Sequence, residues 1–436
     1  MKTFLNGKVT LHAGDSREVL MALPDASIDS VVCDPPYGLG FMGRHWDAAD
    51  GAPFAVEFWA EVLRVLKPGG HVVAFSGTRT YHRMACAIED AGFEIRDQIG
   101  WVYGSGFPKS HDVSKAIDKA VGVERKKVAV GAPVKRMIPG ADQNGNGSWI
   151  KDNGRIYQPG VEIPATEEAA QWEGWGTALK PAWEPICLAR KPLSGTVAEC
   201  VLEHGTGALN IGGCRVEAEG RPLRELDAKA TDSNVYVGRT GSGGLGKGLD
   251  GGSKAVGTTN LGRWPANLVH DGSKEVLDAF PDVHGAGAAR DGSSAVVSDN
   301  YEASAYMLGA NRNMRRLGDE GSAARFFYTA KADAEDRLGS KHPTVKPLDL
   351  MQWLVRLVTP KGGTVLDPFA GTGTTGEAAW REGMRAVLIE REAEYQADIA
   401  RRMELAAQPT KRAAVAKTKN KLDNPEDLPL FAAGTP

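Results

Sequence analysis

The stretch VLDPFAGTGTTGEAA, residues 365–379, decides the fold. A short apolar run ends in an acid, Asp367, and a glycine-rich turn then leads into a helix pattern. The turn contains Gly371, Gly373 and Gly376. Glycines between a strand and a helix let a ligand approach the backbone closely. The stretch therefore predicts an α/β sheet with a ligand at the carboxyl edge of its strands.

The next strand pattern, AVLIE, ends in a second acid, Glu390. An acid about 20 residues after such a turn hydrogen-bonds a ribose hydroxyl, which indicates a nucleoside-containing cofactor. The spacing G-T-G-T-T-G formally matches a dinucleotide fingerprint. However, Asp367 at the strand tip would repel a pyrophosphate and suits a ligand with an ammonium group. S-adenosylmethionine carries an ammonium group and a nicotinamide dinucleotide does not, so we expect S-adenosylmethionine as the cofactor.

Strand and helix patterns alternate near both ends of the chain. Strands are predicted over residues 8–12, 30–34, 71–75, 94–103, 364–367 and 386–390. Helices are predicted over residues 54–66, 81–92 and 347–358. The segments KPGG and TPKGG are expected to end the first and last of these helices. Because the same pattern occurs near both ends, we expect the two ends to form parts of one sheet with parallel strands.

The sequence divides into three regions and a tail. Residues 1–106 and 341–406 carry the α/β patterns and are predicted to be the catalytic and cofactor-binding halves of one domain. Residues 107–340 are rich in Gly, Ser, Asn and Asp, which predicts a loop-rich insertion. Residues 407–436 are rich in Lys, Ala and Pro and poor in aromatic residues, which predicts a disordered tail.

Composition is typical of a globular protein in water. Of 436 residues, 42% are hydrophobic and 25% charged, and the net charge is −3, so any nucleic-acid surface must be local. No apolar run reaches the roughly 18 residues of a membrane span, and the N-terminus lacks a signal-peptide core, so no membrane partner is expected. The five cysteines form no Cys-x-x-Cys pair, which favours reduced cysteines, no metal site and a cytoplasmic location.

A second acid-tipped strand leads into the corner DPPY, formed by Asp34, Pro35, Pro36 and Tyr37. Each proline fixes φ and lacks an N–H, so the carbonyls here have fixed directions and few local donors. The Asp34 carboxylate and the Pro35 carbonyl form a pair of acceptors, and Tyr37 adds a flat face. Two acceptors beside an aromatic ring suit an amino group on a planar ring. A proline-rich strand exit with an incidental tyrosine is the alternative.

Together, these motifs resemble those of DNA methyltransferases that modify exocyclic amino groups. DPPY resembles the catalytic motif of that family and DPFAGTGTT its cofactor motif, and their order here resembles the circularly permuted β class. HPTVKP (342–347) and LHAGDSREVL (11–20) resemble further elements of that class, whereas residues 100–118 and 175–193 resemble methylases of phages and prophages. The resemblance implies a Rossmann-like, S-adenosylmethionine-dependent sheet with a permuted motif order and a large target-recognition insertion.

The resemblance also implies residue roles. Asp34 and the Pro35 carbonyl, with Pro36 in the same motif, accept hydrogen bonds from the target amine, and Tyr37 stacks on the extruded base. The implied cofactor residues are Asp15 at the adenine, Thr344 and Lys346 at the methionine end, Asp367, Phe369, Gly371, Gly373 and Thr374 around the pocket, and Glu390 at the ribose. Catalysis then rests on positioning and electrostatics, without a covalent enzyme intermediate. A carbon-5 cytosine methylase needs a cysteine nucleophile, typically after proline, and the sequence has no Pro-Cys pair.

The first letter of the catalytic motif bears on the target base. An acid there is more typical of adenine-N6 enzymes in the resembling family, and a serine of cytosine-N4 enzymes. We therefore predict transfer to adenine N6 in double-stranded DNA, with cytosine N4 as the alternative. RNA or protein methylases with such a corner usually place the cofactor motif first, which argues against them. Intact motifs argue against a catalytically silent DNA-binding module.

The insertion is expected to read the DNA. Within it, residues 184–193 and 323–332 could be strands that return to the sheet. Basic and aromatic side chains suit phosphate and base contacts, although a solvated surface is the alternative for each. These side chains are Arg136, Lys180, Arg190, Lys191, Arg215, Arg263, Arg312, Arg315, Arg316, Trp149, Trp172, Trp175, Trp183 and Trp264. Residues 38–47, after the catalytic corner, could form either a mobile lid or a packed loop.

The tail ends near DLPLF, which resembles the bacterial sliding-clamp-binding motif. Leu428, Leu430 and Phe431 would then be the anchors, and an incidental apolar tail is the alternative. Enzymes of the resembling class are often dimers, so a homodimer is a further expectation. The expected host is a bacterium or a phage-infected cell.

Overall fold

A mixed sheet of ten strands forms the centre of the described protein. The computed structural model describes residues 1–40, 51–104, 106, 110–131, 134–135, 156–157, 159–218, 221–226, 253–283, 321–330, 334–342, 344–408 and 410–412.

The strands, in chain order, are β1 (Lys2–Phe4), β2 (Val9–Ala13), β3 (Ile28–Cys33), β4 (Leu66–Phe75), β5 (Glu94–Val102), β6 (Lys126–Ala129), β7 (Val134–Lys135), β8 (Ile156–Tyr157), β9 (Gly160–Ile163), β10 (Trp183–Arg190), β11 (Arg221–Leu226), β12 (Ser253–Thr259), β13 (Leu268–His270), β14 (Asp282–Val283), β15 (Gly321–Ser322), β16 (Tyr328–Thr329), β17 (Thr364–Asp367) and β18 (Arg385–Glu390). The helices are α1 (Ser16–Ala22), α2 (Val56–Val65), α3 (Tyr81–Asp90), α4 (Val113–Ala120), α5 (Glu167–Gln171), α6 (Val197–His204), α7 (Lys274–Ala279), α8 (Leu348–Val358), α9 (Thr374–Arg381) and α10 (Ala393–Ala406).

Eight strands of the central sheet run in one direction, and β1 and β10 run in the other. The spatial order is β1-β2-β18-β17-β3-β4-β10-β5-β13-β16. Strands β17 and β18, from late in the chain, pair in parallel with β3 and β2, from its beginning. The α/β prediction is therefore confirmed, and strands from both ends of the chain lie side by side in one sheet.

The segment KPGG differs from its prediction. The sequence predicts that residues 67–70 end a helix and that the strand begins at His71. Instead, α2 ends at Val65 and β4 begins at Leu66, so these residues belong to the strand. The register between β3 and β4 shifts at this end, and Gly69 has a φ of +73°. This irregular start accommodates Pro68, which has no N–H for a regular ladder.

The middle of the chain contributes three strands to the central sheet. The first island predicted there corresponds to β10, which lies between β4 and β5 and is antiparallel to both. The second island is only partly a strand, because a 3₁₀ turn over Ala323–Phe326 precedes the two-residue strand β16. The Ser322 side chain accepts a hydrogen bond from the Ala324 N–H, and this cap favours a helical turn over a strand.

Apolar side chains cover both faces of the sheet. On one face, α8 buries Leu350, Trp353 and Leu354 against the strands. On the other face, α2 buries Phe58, Trp59 and Val62. Fully burying one such side chain contributes about 1.5–3 kcal/mol, so these two helices fix the strands whose ends form the site.

A buried charge cluster fixes α9, the helix that follows the glycine turn. The Glu377 side chain is fully buried and pairs with Arg402 at 2.9 Å, Arg381 at 2.9 Å and Arg412 at 2.6 Å. Arg402 is also buried, and its Nε donates to the Thr372 carbonyl within the turn, at 2.8 Å. The cluster therefore connects α9, α10 and the glycine turn through charge-assisted hydrogen bonds.

Several predictions fall outside the described residues. These are the clamp-binding anchors Leu428, Leu430 and Phe431, most of the 38–47 loop, and the basic or aromatic residues Arg136, Trp149, Arg312, Arg315 and Arg316. Within the part of the chain that the structure describes, no helix combines the length and apolar character of a membrane span.

Glu377→Gln tests the buried cluster. Removing this charge leaves Arg402 buried without its ionic partner, which costs about 3–5 kcal/mol of unfolding free energy. Urea denaturation of the two proteins measures the difference. Glu404→Gln is the matched control, since Glu404 pairs with Lys411 at the surface and such pairs contribute little. Equal, small effects of the two substitutions would contradict the role given to the cluster.

Candidate active site at the carboxyl edge of the sheet

A cavity of about 1190 Å³ opens at the carboxyl edge of the parallel strands. Residues of the DPPY motif and of the DPFAGTGTTG motif contribute to its wall. The predicted site residues that line it are Asp15, Asp34, Pro35, Pro36, Tyr37, Thr344, Lys346, Asp367, Phe369, Gly371, Thr374 and Glu390. The cavity is large enough for a nucleoside-sized cofactor together with a second planar ring.

The sheet topology explains why distant residues meet here. Strand β3 pairs in parallel with β17, with Ser30 opposite Val365 and Val31 opposite Leu366. Parallel neighbours end at the same edge, so the residues that follow or end these strands, Asp34 and Asp367, face one cavity. This edge is also where open α/β sheets bind ligands.

The DPPY corner is held by a lysine from the other end of the chain. Lys346 Nζ donates to Asp34 Oδ2 at 2.6 Å and to the Tyr37 hydroxyl at 3.1 Å. The ammonium also lies 4.9 Å from the centre of the Phe75 ring. The resemblance implies that Lys346 lies at the methionine end of the cofactor, yet its direct contacts are with the DPPY corner.

Glu184 is a functional candidate that the sequence analysis missed. It lies on β10, at the strand end that reaches the cavity because β10 runs antiparallel to its neighbours. The Tyr37 hydroxyl lies 2.9 Å from Glu184 Oε2 and 2.9 Å from Asp34 Oδ1. Lys346 Nζ is 3.3 Å from the same Glu184 oxygen. The only sequence signal was its position at the start of the strand pattern EPICLARKPL.

Charge and burial set the protonation of this corner. Burial disfavours the Lys346 ammonium, but the carboxylates of Asp34 and Glu184 raise the pKa of Lys346 above its ordinary value. Burial, followed by the same two carboxylates, raises the pKa of Tyr37 well above its ordinary value. The corner therefore contains a charged lysine and a neutral tyrosine at neutral pH.

Asp367 is a buried acid at the end of β17, directly before the glycine turn. Its carboxylate accepts hydrogen bonds from the Phe369 N–H at 3.0 Å and from the Thr375 hydroxyl at 2.5 Å. Burial is the main reason that the pKa of Asp367 rises to about 7, and the nearby carboxylates of Asp34 and Glu390 add to the rise. A cationic group in the cavity would stabilise the carboxylate form.

Glu390 and Asp15 lie at the ends of β18 and β2, which are neighbours in the sheet. Glu390 accepts hydrogen bonds from the backbone N–H groups of Gly371 and Glu392, both at 2.8 Å. These bonds orient the carboxylate and leave it further lone pairs. Asp15 caps α1 by accepting from the Arg17 N–H at 2.9 Å. Two oriented acids beside the glycine turn suit the hydroxyl and amino groups of a nucleoside.

The glycines of the turn have different surroundings. Gly371 lines the cavity with a φ of +50°, and a side chain there would lie 3.4 Å from His342 Nε2. Gly373 is not on the cavity wall: a side chain at this position, with a φ of +78°, would contact Ile399 and Met403 of α10. Gly373 therefore permits close packing of the glycine turn against α10, and its role in shaping the pocket stays a prediction.

His342, beside Gly371, was not singled out by the sequence analysis as a site residue. It lines the cavity and packs edge-on against Tyr395, with ring centres 4.4 Å apart. Burial lowers the pKa of His342. Its Nδ1 lies 2.6 Å from the Thr344 carbonyl, which orients the ring towards the glycine turn.

Two basic residues expected to contact DNA have structural contacts instead. Arg190 is buried and pairs with Glu94 at 2.6 Å. Lys191 donates to the backbone carbonyls of Leu63 and Leu66, at 2.8 and 2.7 Å. Arg190 ends β10 and Lys191 follows it. Because β10 lies inside the sheet, the Arg190 side chain is buried and the Lys191 side chain is partly buried.

Two other members of the predicted DNA-reading set, Lys180 and Trp183, lie on the cavity wall. Trp183, Lys180 and the intervening residues line the cavity, and Trp183 is 43% exposed. Trp172 and Trp175 are 43% and 60% exposed and contact each other edge to face. Within the described ranges, no group of three or more His, Cys, Asp or Glu side chains is arranged to hold a metal ion.

Comparison with known proteins points to one family. Residues 28–401 match the sequence model of the N6/N4 methyltransferase family, which is described as DNA methylase. The chain is 41% identical over 92 residues to the type II methyltransferase M2.DpnII of Streptococcus pneumoniae, which is 21% of this chain and 34% of that protein. It is 26% identical over 159 residues to the type II methyltransferase M.HindIII of Haemophilus influenzae, or 36% of this chain and 38% of that protein. The matched segments thus span little more than a third of these relatives.

Solved structures of DNA methylases are more distantly similar. The PvuII cytosine-N4-specific DNA methyltransferase is 14% identical with a TM-score of 0.41, covering 95% of this chain and 93% of the other. A Thermus thermophilus DNA modification methylase in complex with S-adenosylmethionine is 18% identical with a TM-score of 0.40, covering 91% and 94%. Since the family match extends over most of the sequence and includes both motifs of the cavity, the chain belongs to the N6/N4 DNA methylase family.

Proposed function

We propose that the protein transfers the methyl group of S-adenosylmethionine to the N6 amino group of adenine in double-stranded DNA. One observation carries the proposal. The acceptors of the DPPY corner and the acids of the glycine turn line the same cavity, although they come from opposite ends of the chain. A methyl donor and an amine held in such a cavity are close enough to react.

The cofactor fits the donor and acceptor groups of the cavity. S-adenosylmethionine is the methyl donor, and it supplies an electrophilic methyl group on a sulfonium ion. Glu390 and Asp15 offer acceptors for the ribose hydroxyls and the adenine amine. Asp367, with its raised pKa, becomes a carboxylate when a cationic ammonium lies beside it. Gly371 leaves space next to His342 that a larger residue would fill.

The DPPY corner positions the target amine. Asp34 and the Pro35 carbonyl accept its two hydrogens, so that the nitrogen lone pair points away from them and towards the methyl donor. The carboxylate also stabilises the positive charge that develops on the nitrogen during transfer. The nitrogen then loses its extra proton, and neutral methylated adenine remains.

Tyr37 is the stacking surface for the base. Its backbone carbonyl accepts from the Thr80 hydroxyl at 2.7 Å, and its own hydroxyl is held by Asp34, Glu184 and Lys346. A side chain at Gly77 would lie 3.2 Å from the Tyr37 ring, so this glycine makes room for the ring. Because the amine of a paired base lies inside the duplex, the base must be flipped into the cavity.

The cavity mouth offers a surface for the DNA. Lys180 and Trp183 line the cavity, and Leu179 beside them is 92% exposed. Cations suit phosphates, and exposed apolar or aromatic side chains stack on bases or fill the space that a flipped base leaves. The adenine assignment itself is supported by the acid at the first position of DPPY.

Asp34→Ala is expected to lower methyl transfer by at least about 100-fold, because the amine loses an anionic acceptor where positive charge develops. Transfer of labelled methyl groups to duplex DNA from a host that does not express the protein measures the loss. Cofactor affinity, measured by calorimetry, should change less than about threefold, because the acids expected to bind the cofactor remain. Asp97→Ala, on the exposed side of β5, is the control. Label in RNA or protein, with none in DNA, would contradict the proposal.

The methylated base distinguishes adenine from cytosine. Enzymatic hydrolysis of the product DNA, followed by mass spectrometry of the nucleosides, should yield N6-methyldeoxyadenosine. N4-methyldeoxycytidine instead would refute the adenine assignment while leaving DNA methylation intact.

The raised pKa of Asp367 predicts a pH dependence of cofactor binding. Below pH about 7 the free protein carries a protonated Asp367, and a cationic ammonium binds only the carboxylate. Binding must then release this proton, so the affinity for S-adenosylmethionine falls by up to about tenfold per pH unit below pH 7. Calorimetric titrations at several pH values between about 6 and 8, on both sides of this pKa, measure how the affinity changes with pH. Asp367→Asn should bind more weakly and without this slope, whereas an equal slope in both proteins would contradict the assignment.

A further inference from the structure

The carboxylates of Glu184 and Asp34 both contact the same lysine, Lys346, and the same tyrosine, Tyr37. Lys346 Nζ is 2.6 Å from Asp34 Oδ2 and 3.3 Å from Glu184 Oε2. The lysine side chain is 7% exposed, and the two carboxylate side chains are 21% and 19% exposed. Two carboxylates and one ammonium leave a net charge of −1 in a largely water-excluded site. Such a charge is well placed to stabilise a cationic amine.

The single proton of the Tyr37 hydroxyl can be donated to only one of two carboxylates, and one of these is Asp34. The Tyr37 hydroxyl has one proton but lies 2.9 Å from both Asp34 Oδ1 and Glu184 Oε2. It also accepts from Lys346, so its proton must go to one of the two carboxylates. When Glu184 accepts this proton, Asp34 Oδ1 keeps its lone pairs for another donor.

The Lys346 ammonium also competes with the target amine for the Asp34 carboxylate. Its ammonium occupies Asp34 Oδ2 as a strong donor, in the place where the target amine must also bind. Glu184 is the alternative partner that lies within reach of the same ammonium. Without Glu184, the full charge of Lys346 would be directed to Asp34 and would weaken it as an acceptor for a developing cation.

Glu184 has a further neighbour in Tyr103, the residue that follows β5. Burial, followed by the nearby Glu184 carboxylate, raises the pKa of Tyr103 well above its ordinary value. The Tyr37 hydroxyl and the Lys346 ammonium both contact this one carboxylate. A carboxylate with several fixed donors is a rigid partner rather than a mobile surface group.

We propose that Glu184 is a positioning residue of the catalytic corner: it accepts from Tyr37 and shares the Lys346 ammonium, and so leaves Asp34 available to the target amine. The inference rests on the proposed methyl transfer to DNA. Glu184 does not touch the reacting atoms in this account. It acts through Lys346 and Tyr37.

A double-mutant cycle with Glu184→Gln and Lys346→Met tests the inference. Gln keeps the size of Glu184 but removes its charge and replaces one acceptor oxygen with an N–H₂ donor. In the wild-type background, Glu184→Gln should lower kcat for DNA methylation about tenfold or more, with changes in KM of less than about threefold for cofactor and DNA. In the Lys346→Met background the same substitution should cost clearly less than in the wild-type background, because the ammonium is gone and only the effect through Tyr37 remains.

Two matched measurements separate positioning from a general structural role. Glu94→Gln removes a carboxylate that pairs with Arg190 on the other end of β10, outside the cavity wall, and should leave kcat within about twofold of wild type. Urea unfolding of the wild type, the two single variants and the double variant, without substrate, should also show that the effects of Glu184→Gln and Lys346→Met on the unfolding free energy are not additive. If Glu184→Gln does not fold, Glu184→Asp replaces it, since the shorter side chain keeps the charge but moves away from Lys346.

The outcomes are distinct. An unchanged kcat in Glu184→Gln, or losses in kcat that simply multiply in the double mutant, would overturn the inference. If the wild-type protein methylates no DNA, the proposed function fails, and the unfolding cycle still decides whether Glu184 and Lys346 are coupled. Additive unfolding energies in that case would overturn the inference as well.

Discussion

The parallel pairing of β3 with β17 is the constraint on which the rest of the site depends. These strands come from opposite ends of the chain, and their pairing in one direction sends both acid-tipped ends to one edge of the sheet. Asp34 and Asp367 thereby face the same cavity. A reversed or shifted strand would place one of the two motifs on the far edge. The order of the motifs along the chain therefore matters less than the order of the strands in the sheet.

Electrostatics then gives the two parts of the cavity different characters. In the DPPY corner, a lysine neutralises part of the charge of two carboxylates, and the raised pKa of Lys346 keeps it cationic. At the glycine turn, the described residues place no cation in an ion pair with Asp367, and burial raises its pKa to about 7. A low-dielectric site strengthens both effects. The first arrangement suits a neutral amine that becomes cationic, and the second suits a ligand that arrives with a positive charge.

The sequence predicted the features that are local in the chain. The DPPY corner, the glycine turn and the strands before them are encoded in short segments, and all but one of the predicted site residues line the cavity. Glu184 escaped prediction because its role depends on the antiparallel insertion of β10 between β4 and β5, which no local pattern encodes. For the same reason, Arg190 at the other end of that strand and Lys191 just beyond it have partners within the protein that the sequence does not reveal. Gly373 follows the spacing of a ligand-binding turn, but its packing against α10 could be seen only in three dimensions.

The most direct test of the account is a crystal structure with duplex DNA and a cofactor analogue that has no transferable methyl group. We expect one adenine to be flipped into the cavity, with its N6 atom about 3 Å from both an Asp34 carboxylate oxygen and the Pro35 carbonyl, and with its ring stacked on Tyr37. The analogue should lie against Asp367 and Glu390. A target base that remains stacked in the duplex, or an amine bound away from Asp34, would contradict the claim that the two motifs form one active site.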